Sequence, residues 1–155
     1  MLFRNLEAVF DIGANRSVLT VAKNEKPIFT RSDAFGGNRL VELIAQSLNM
    51  AKLEAEKFIK DPNWTSKVTQ DLIQIYVHDI VENIRRELQF FSSATQYDEV
   101  HLIILAGGAA RLPGLAEKVS ETLNVKTLVA NPFSSMTFAK HVNSEILLQN
   151  APAFM

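Results

Sequence analysis

The run of apolar residues from Val100 to Ala106 constrains the fold of this chain more than any other feature. It is broken by His101 alone and ends at the pair Gly107-Gly108. Strands covered on both faces of a parallel sheet have such continuous runs, whereas half-exposed strands alternate. The run is also far shorter than the roughly 20 residues that a membrane-spanning helix needs. We therefore expect a central strand of an α/β protein and no segment that crosses a bilayer.

The remaining pattern predicts an antiparallel meander followed by alternating helices and strands. Short apolar or alternating runs between turn residues indicate strands. Apolar spacings of three and four indicate helices. We place strands at Glu7–Ile12, Ser17–Lys23 and Pro27–Ser32, a turn at Asn24-Glu25, helices near 40–48, 51–60, 65–91 and 113–123, and a last strand at 126–130 before a turn at Asn131-Pro132. The fold class is α/β, with helices on the faces of the sheet and one domain over residues 1–155.

The composition excludes several classes of function. The 155 residues include 16 basic and 17 acidic groups and no cysteine. This balance lacks the basic footprint that nucleic-acid binding requires, and disulfides and Cys-ligated zinc are ruled out. The histidines His78, His101 and His141 fall in different elements, so we expect no metal cluster. Because the N-terminus lacks the pattern of a signal peptide, we expect a cytoplasmic protein.

The first motif with chemical potential is Asp11-Ile12-Gly13-Ala14-Asn15-Arg16-Ser17. An acidic residue here ends a strand and a glycine opens a hairpin. Gly13 lets backbone N–H groups approach an anion closely, and Asp11 is suited to a hydrated Mg²⁺. The alternative is a purely structural hairpin, because Asp-x-Gly also occurs in ordinary turns. These residues by themselves leave both interpretations open.

The second motif is Leu105-Ala106-Gly107-Gly108-Ala109-Ala110-Arg111-Leu112-Pro113-Gly114. A buried strand here runs into paired glycines and then a helix. Ligands of α/β sheets bind outside the carboxyl ends of strands, where a glycine-lined turn admits rings or phosphates. A strand-to-helix turn that needs positive φ is an equally good interpretation.

In this order the two motifs resemble the second half of the nucleotide-binding fold shared by actin and hexokinase, and most closely the PilM family of actin-like proteins. The Val-Ala-Asn-Pro-Phe stretch and the Phe-Phe helix end favour PilM over the related FtsA family. The segments that carry the resemblance are Asp11-Ile12-Gly13-Ala14, Phe35-Gly36-Gly37, Leu88-Gln89-Phe90-Phe91, Ala106-Gly107-Gly108, Leu112-Pro113-Gly114-Leu115 and Leu128-Val129-Ala130-Asn131-Pro132-Phe133.

The resemblance implies a role for each matching residue in binding ATP with Mg²⁺, and it implies no catalytic residue. Asp11 would hold the Mg²⁺ through water. Residues assigned to the phosphates are Gly13, Ala14, Asn15, Ser17, Gly36 and Gly37, and those assigned to the adenosine are Gly107, Gly108 and Arg111. In relatives a glutamate at the position of Glu56 contacts the ribose, but the lysine expected three positions later is replaced by Ile59.

The resemblance also implies a function and partners. PilM-like proteins are ATP-binding scaffolds of type IV pilus assembly and twitching motility, at the cytoplasmic face of the inner membrane. They link the PilN cytoplasmic tail to the pilus motor ATPases. Compared with that family, the chain looks like the C-terminal lobe alone, without the N-terminal lobe and the final helix. We therefore expect weak ATP binding, and self-association through the face that would meet the other lobe.

The sequence leaves two other functions open. One is an FtsA-like or other actin-like ATPase. The other is a small α/β interaction domain that uses its glycine turns only structurally and binds no nucleotide.

Overall fold

The computed structural model describes residues 6–130, which form one five-stranded sheet and four α-helices. Two short 3₁₀ helices lie at Trp64–Lys67 and Gly108–Arg111. The elements are β1 (Leu6–Ile12), β2 (Ser17–Lys23), β3 (Lys26–Asp33), α1 (Asn38–Ser47), α2 (Lys52–Phe58), α3 (Gln70–Ala94), β4 (Leu102–Ala106), α4 (Leu115–Leu123) and β5 (Lys126–Val129). The strand order β3-β2-β1-β4-β5 places the predicted central strand, β4, inside the sheet.

The first three strands form the predicted antiparallel meander. The turn between β2 and β3 has positive φ at both central residues, 50° at Asn24 and 73° at Glu25. Two-residue hairpin turns of this kind match the right-handed twist of the strands that they join. The predicted turn at Asn24-Glu25 is therefore confirmed.

The parallel half of the sheet determines where the two sequence motifs meet. β4 runs parallel to β1, and the register pairs Asp11 with Ala106. Both strands therefore end at the same edge of the sheet, so the turns that follow them are neighbours. β5 pairs in parallel with the other side of β4.

One face of the sheet carries the main hydrophobic core. Side chains of β1, β2 and β4 alternate between two clusters, and all four helices contribute to the larger one. On β4, Ile103 and Leu105 belong to this core, whereas Ile104 and Ala106 belong to a smaller cluster on the opposite face. In that smaller cluster the described members all lie in or beside the strands. The expectation that β4 is buried on both faces is confirmed, and helices of residues 6–130 cover one face.

Most elements differ from the sequence prediction by one to three residues at an end, and the start of the long helix differs most. The long helix begins at Gln70 instead of 65, because Thr69 caps it by accepting a hydrogen bond from the N–H of Leu72 at 3.3 Å. Trp64 lies in the separate 3₁₀ helix and packs half-buried against the main core. β4 begins at Leu102 and not at Val100. The periodicity of apolar residues continues across a cap, so it does not locate the first helical residue.

Some predictions concern residues beyond the described part. The turn at Asn131-Pro132 and the end of the chain lie outside residues 6–130. Among the helices within that range, none combines the length and the apolar character needed to span a membrane.

Candidate functional site

The candidate site lies at the edge of the sheet where β1 and β4 end. Gly107 follows β4 with a φ of 91° and a ψ of 176°, a region essentially restricted to glycine. A Cβ at this position would lie 2.3 Å from the carbonyl oxygen of Ile12 and 2.9 Å from Oδ1 of Asp11. The Gly107 turn therefore packs directly on the end of β1, beside Asp11, a residue that is only 8% exposed.

A second loop, leading into α1, is bonded to the turn between β1 and β2. The N–H of Gly37 donates to the carbonyl of Gly13 at 2.7 Å, and the N–H of Asn38 donates to the carbonyl of Ala14 at 2.8 Å. A Cβ on Gly36 would lie 2.3 Å from the Gly13 carbonyl oxygen. Only glycine allows the two backbones to approach this closely.

Side chains strengthen the same contact. The buried hydroxyl of Ser17 donates to the carbonyl of Phe35 at 2.6 Å. The side-chain amide of Asn38 donates to Oδ1 of Asn15. Two residues that the resemblance assigns to the phosphates, Ser17 and Asn15, thus have structural partners in the protein itself.

The groups that remain accessible to a ligand lie on the outer side of this edge. Ala14, Asn15 and Arg16 are exposed at the tip of the turn, and no backbone hydrogen bond within residues 6–130 uses the N–H groups of Ala14 and Asn15. Gly108 is exposed, and a Cβ there would have no heavy atom within 4 Å. Backbone N–H groups in a turn form a concavity that favours anions.

Arg111 is the last of the candidate residues in the turn after β4. It is exposed at the end of the 3₁₀ helix Gly108–Arg111, which packs against β1 and β4. The fold therefore brings both sequence motifs and the Gly36-Gly37 loop to one edge. Glu56 is half-buried on α2, and no structural contact assigns it to this edge.

Asp11 is the acidic side chain at this edge of the sheet that is suited to binding a cation. In residues 6–130, no group of three or more His, Asp or Glu side chains is arranged to hold a metal ion. Mg²⁺ commonly binds through one or two carboxylates, with waters and substrate phosphates supplying the other ligands. The Asp11 carboxylate at the end of β1 fits that mode, and it does not fit an all-protein metal centre.

A polar cluster behind the site was not anticipated from the sequence. Asp33, the last residue of β3, accepts hydrogen bonds from Nδ2 of Asn83 at 2.7 Å, from Nη2 of Arg86 at 3.3 Å and from the N–H of Ala34 at 2.9 Å. Partial burial raises the pKa of Asp33, but these hydrogen bonds and the charge of Arg86 outweigh burial and leave that pKa below its usual range. The signal in the sequence is an asparagine, Asn83, between the apolar positions Ile80 and Ile84 of α3.

Comparison with known proteins identifies the family. The sequence pattern of the family described as "Type IV pilus assembly protein PilM" matches residues 3–155. The chain belongs to the PilM family. A solved structure of a PilM-PilN type IV pilus biogenesis complex has a TM-score of 0.71 and 27% identity to it, over 97% of this chain and 44% of that chain.

More distant structures have the same fold. The ethanolamine utilization protein EutJ from Carboxydothermus hydrogenoformans has a TM-score of 0.67 at 23% identity, over 81% of this chain and 43% of that chain. Ta0583, an archaeal actin homologue, has a TM-score of 0.62 at 16% identity, over 98% of this chain and 48% of that chain. The expected actin-like fold is therefore confirmed for this PilM-family chain, which spans less than half the length of these structures.

Proposed function

We propose that this PilM-family chain supplies one side of a Mg-ATP site in a scaffold of type IV pilus assembly. The observation that carries the proposal is the convergence of three glycine-containing loops at the carboxyl ends of β1 and β4. Nucleotides bind at such strand ends in α/β sheets, because the turns there expose backbone groups. An interaction domain without a ligand has no need to keep the edge open at Gly108.

The β1–β2 turn is suited to the phosphates. It offers the N–H groups of Ala14 and Asn15, and the exposed guanidinium of Arg16 lies on the same turn. Backbone N–H groups favour an anion without the entropic cost of ordering long side chains, and the planar fork of arginine matches phosphate oxygens. Arg16 is an addition to the residues that the sequence resemblance assigned.

The 3₁₀ helix after β4 is suited to the adenosine. Because a side chain at Gly108 would point into open space, that space is available to a flat ring that approaches the backbone. The adjacent Arg111 is exposed at the end of this helix. Gly107, by contrast, packs against the backbone of β1, so it positions the turn and leaves no space beside it for a ring.

Asp11 would hold the Mg²⁺ through water. When bound, the ion neutralises phosphate charge and orients the phosphates. The carboxylate of Asp11 adds a fixed negative charge at the end of β1, on the side of the sheet edge where the Gly107 turn packs. It would orient the waters of the ion, since Mg²⁺ commonly binds through one or two carboxylates and keeps several of its waters.

Partners and location follow from the family and belong to the same proposal. A related PilM has been solved as a complex with PilN, and we propose PilN and the pilus motor ATPases as partners of the whole protein. The scaffold would then act at the cytoplasmic face of the inner membrane, held there by its partners. We expect that the PilN tail requires the N-terminal lobe, so titration of this chain alone with a PilN tail peptide should show no binding. A measurable affinity would contradict that expectation.

Isothermal titration calorimetry with Mg-ATP tests the site. We expect weak binding by this chain, since phosphate contacts and exclusion of water come from both lobes. Gly108→Val should leave the free protein folded, because the space is open, and should abolish binding. Ala94→Val, which also places a valine at an exposed position, at the end of α3, should bind as the parent does. If Gly108→Val binds equally well, the proposed site is wrong.

A second variant tests the role of the cation. Asp11→Asn should weaken binding of Mg-ATP more than binding of ATP in the presence of EDTA, because only the former uses the Asp11 charge. Asp98→Asn removes an exposed carboxylate from the loop before β4 and should change neither affinity. Equal losses with and without Mg²⁺ would show that Asp11 does not act through the ion.

A further inference from the structure

A polar stripe on α3 contacts the segment that carries the Gly36-Gly37 loop. Its members recur at spacings of three and four, so they share one face of the helix. The stripe consists of Asp79, Asn83, Arg86 and Glu87, and its contacts on the segment are Arg39, Asp33 and Arg31. This face of α3 therefore holds residues 31–39 from both ends, at Arg31 and Asp33 on one side and at Arg39 on the other.

Asp33 is the centre of these contacts. Asn83 is 2% exposed, and a buried amide without a partner carries a large desolvation penalty. Its 2.7 Å hydrogen bond to Asp33 is therefore strongly favoured in the folded protein. Arg86, on the more exposed side of α3, reaches the same carboxylate oxygen at 3.3 Å.

The other end of the loop is also attached to α3. Arg39, in the first turn of α1, donates from Nε to Oδ2 of Asp79 at 2.7 Å. Only residues 34–38 lie between Asp33 and Arg39, and Phe35, Gly37 and Asn38 in this short segment supply the partners of four hydrogen bonds to residues 13–17. Movement of either attachment would move the carbonyl partners at Gly13 and Ala14.

We propose that Asp79 and Asn83 are positioning residues of the nucleotide site, which act by fixing residues 34–38 and, through them, the β1–β2 turn. This inference rests on the proposed binding of phosphates by that turn. The two residues touch no ligand. Their effect is to hold the N–H groups of Ala14 and Asn15 in one arrangement before a phosphate arrives, which lowers the ordering cost of binding.

The test uses the full chain and two measurements, amide hydrogen exchange and Mg-ATP affinity. Asn83→Leu keeps a side chain of similar size and removes the bond to Asp33. We expect exchange of the Gly37 and Asn38 amides to accelerate about tenfold, while amides of β1 and β4 keep their protection. Affinity for Mg-ATP should fall about tenfold as the turn loses its fixed arrangement.

A matched control and a rescue variant separate positioning from general stability. Glu87→Gln alters the same face of α3 but retains an acceptor for Arg31, so both measurements should stay as in the parent. The double variant Asp33→Asn/Asn83→Asp exchanges donor and acceptor, and it should restore much of the protection lost in Asn83→Leu.

The outcomes are distinct. Acceleration confined to residues 34–38, with loss of affinity, supports the proposal. No acceleration, or acceleration spread evenly over the sheet, overturns it, and so does unchanged affinity in a variant whose loop is loosened. If the parent chain binds no Mg-ATP, the proposed function fails, and hydrogen exchange alone then decides whether Asn83 positions the turn.

Discussion

The two glycine pairs of this chain look alike in sequence but differ within each pair. The first glycine of each pair lies against backbone at distances that no side chain permits: Gly107 against the end of β1, and Gly36 against the turn that follows it. The second of each, Gly37 and Gly108, has room for a Cβ. The first member is therefore required by the fold. The second is free of that requirement, and only Gly108 faces entirely open space.

The pairs also differ from each other in how their loops are held. The Gly36 loop is attached by hydrogen bonds to the β1–β2 turn and to α3. The Gly107 turn has its position set by the parallel pairing of β4 with β1 and by a positive φ. Substitutions can separate these causes, because each glycine isolates a different combination of contact and backbone conformation.

The largest expected effect is that of Gly107→Ala. It combines a backbone conformation restricted to glycine, which costs about 1–3 kcal/mol, with a contact that forces the backbone of β1 to move, which costs about as much again. We expect the free energy of unfolding to fall by about 3 kcal/mol or more in urea titrations. Gly114→Ala is the control, since its φ is 82° but its surroundings are open. Equal losses in the two variants would mean that the contact with β1 contributes nothing.

Gly36→Ala should have the next largest effect. Its φ is ordinary, so the cost is steric, from carbonyl oxygens of Gly13 and Ala14 at 2.3 and 2.6 Å from the new Cβ. We expect a loss of about 2 kcal/mol and faster amide exchange in residues 34–38. Gly37→Ala, whose Cβ would have ordinary contacts at 3.7 Å, should be neutral or stabilising by up to about 1 kcal/mol. The comparison breaks down if the two substitutions have the same effect.

A smaller effect on stability is expected from pH, through Asp33 at the start of the Gly36 loop. The pKa of Asp33 is lowered in the folded state, so the unfolded chain binds more protons near its ordinary carboxyl pKa of about 3.9. The stabilisation is present above that pH and is lost as pH falls through the folded pKa. Urea unfolding from pH 5 downward should show a shallower decline for Asp33→Asn than for the parent. Parallel declines would show that Asp33 does not contribute.

The smallest effect on stability is expected at Gly108, the second glycine of the pair after β4. Gly108→Ala should change the free energy of unfolding by less than about 1 kcal/mol, in the stabilising direction, because it restricts only the unfolded chain. Thermal unfolding without nucleotide measures this. A loss comparable to that of Gly107→Ala would show that Gly108 is also required by the fold, and the open space would then give no support to an adenosine site.

Much of the fold followed from patterns within single segments. The continuous apolar run predicted a central strand, and the spacing of turn residues predicted the meander. The resemblance of short motifs predicted the actin-like fold and the PilM family before any distance was known. These predictions succeeded because strand alternation, helical spacing and turn residues are local properties. The predicted start of α3 was wrong, because the helix begins after the cap residue Thr69, and a single capping side chain leaves the apolar periodicity unchanged.

The candidate site was predictable as a set of residues but not as an arrangement. The sequence determined that Asp11 and Gly107 end two strands. Only the tertiary structure decided that these strands are parallel neighbours in register. It also decided that the Ser17 hydroxyl donates to the carbonyl of Phe35 and that the Asn83 amide donates to Asp33. Each of these contacts joins residues far apart in the chain. The local sequence pattern indicates which side chains are buried and which residues form turns. Which residue each of them contacts depends on how the whole sheet is assembled.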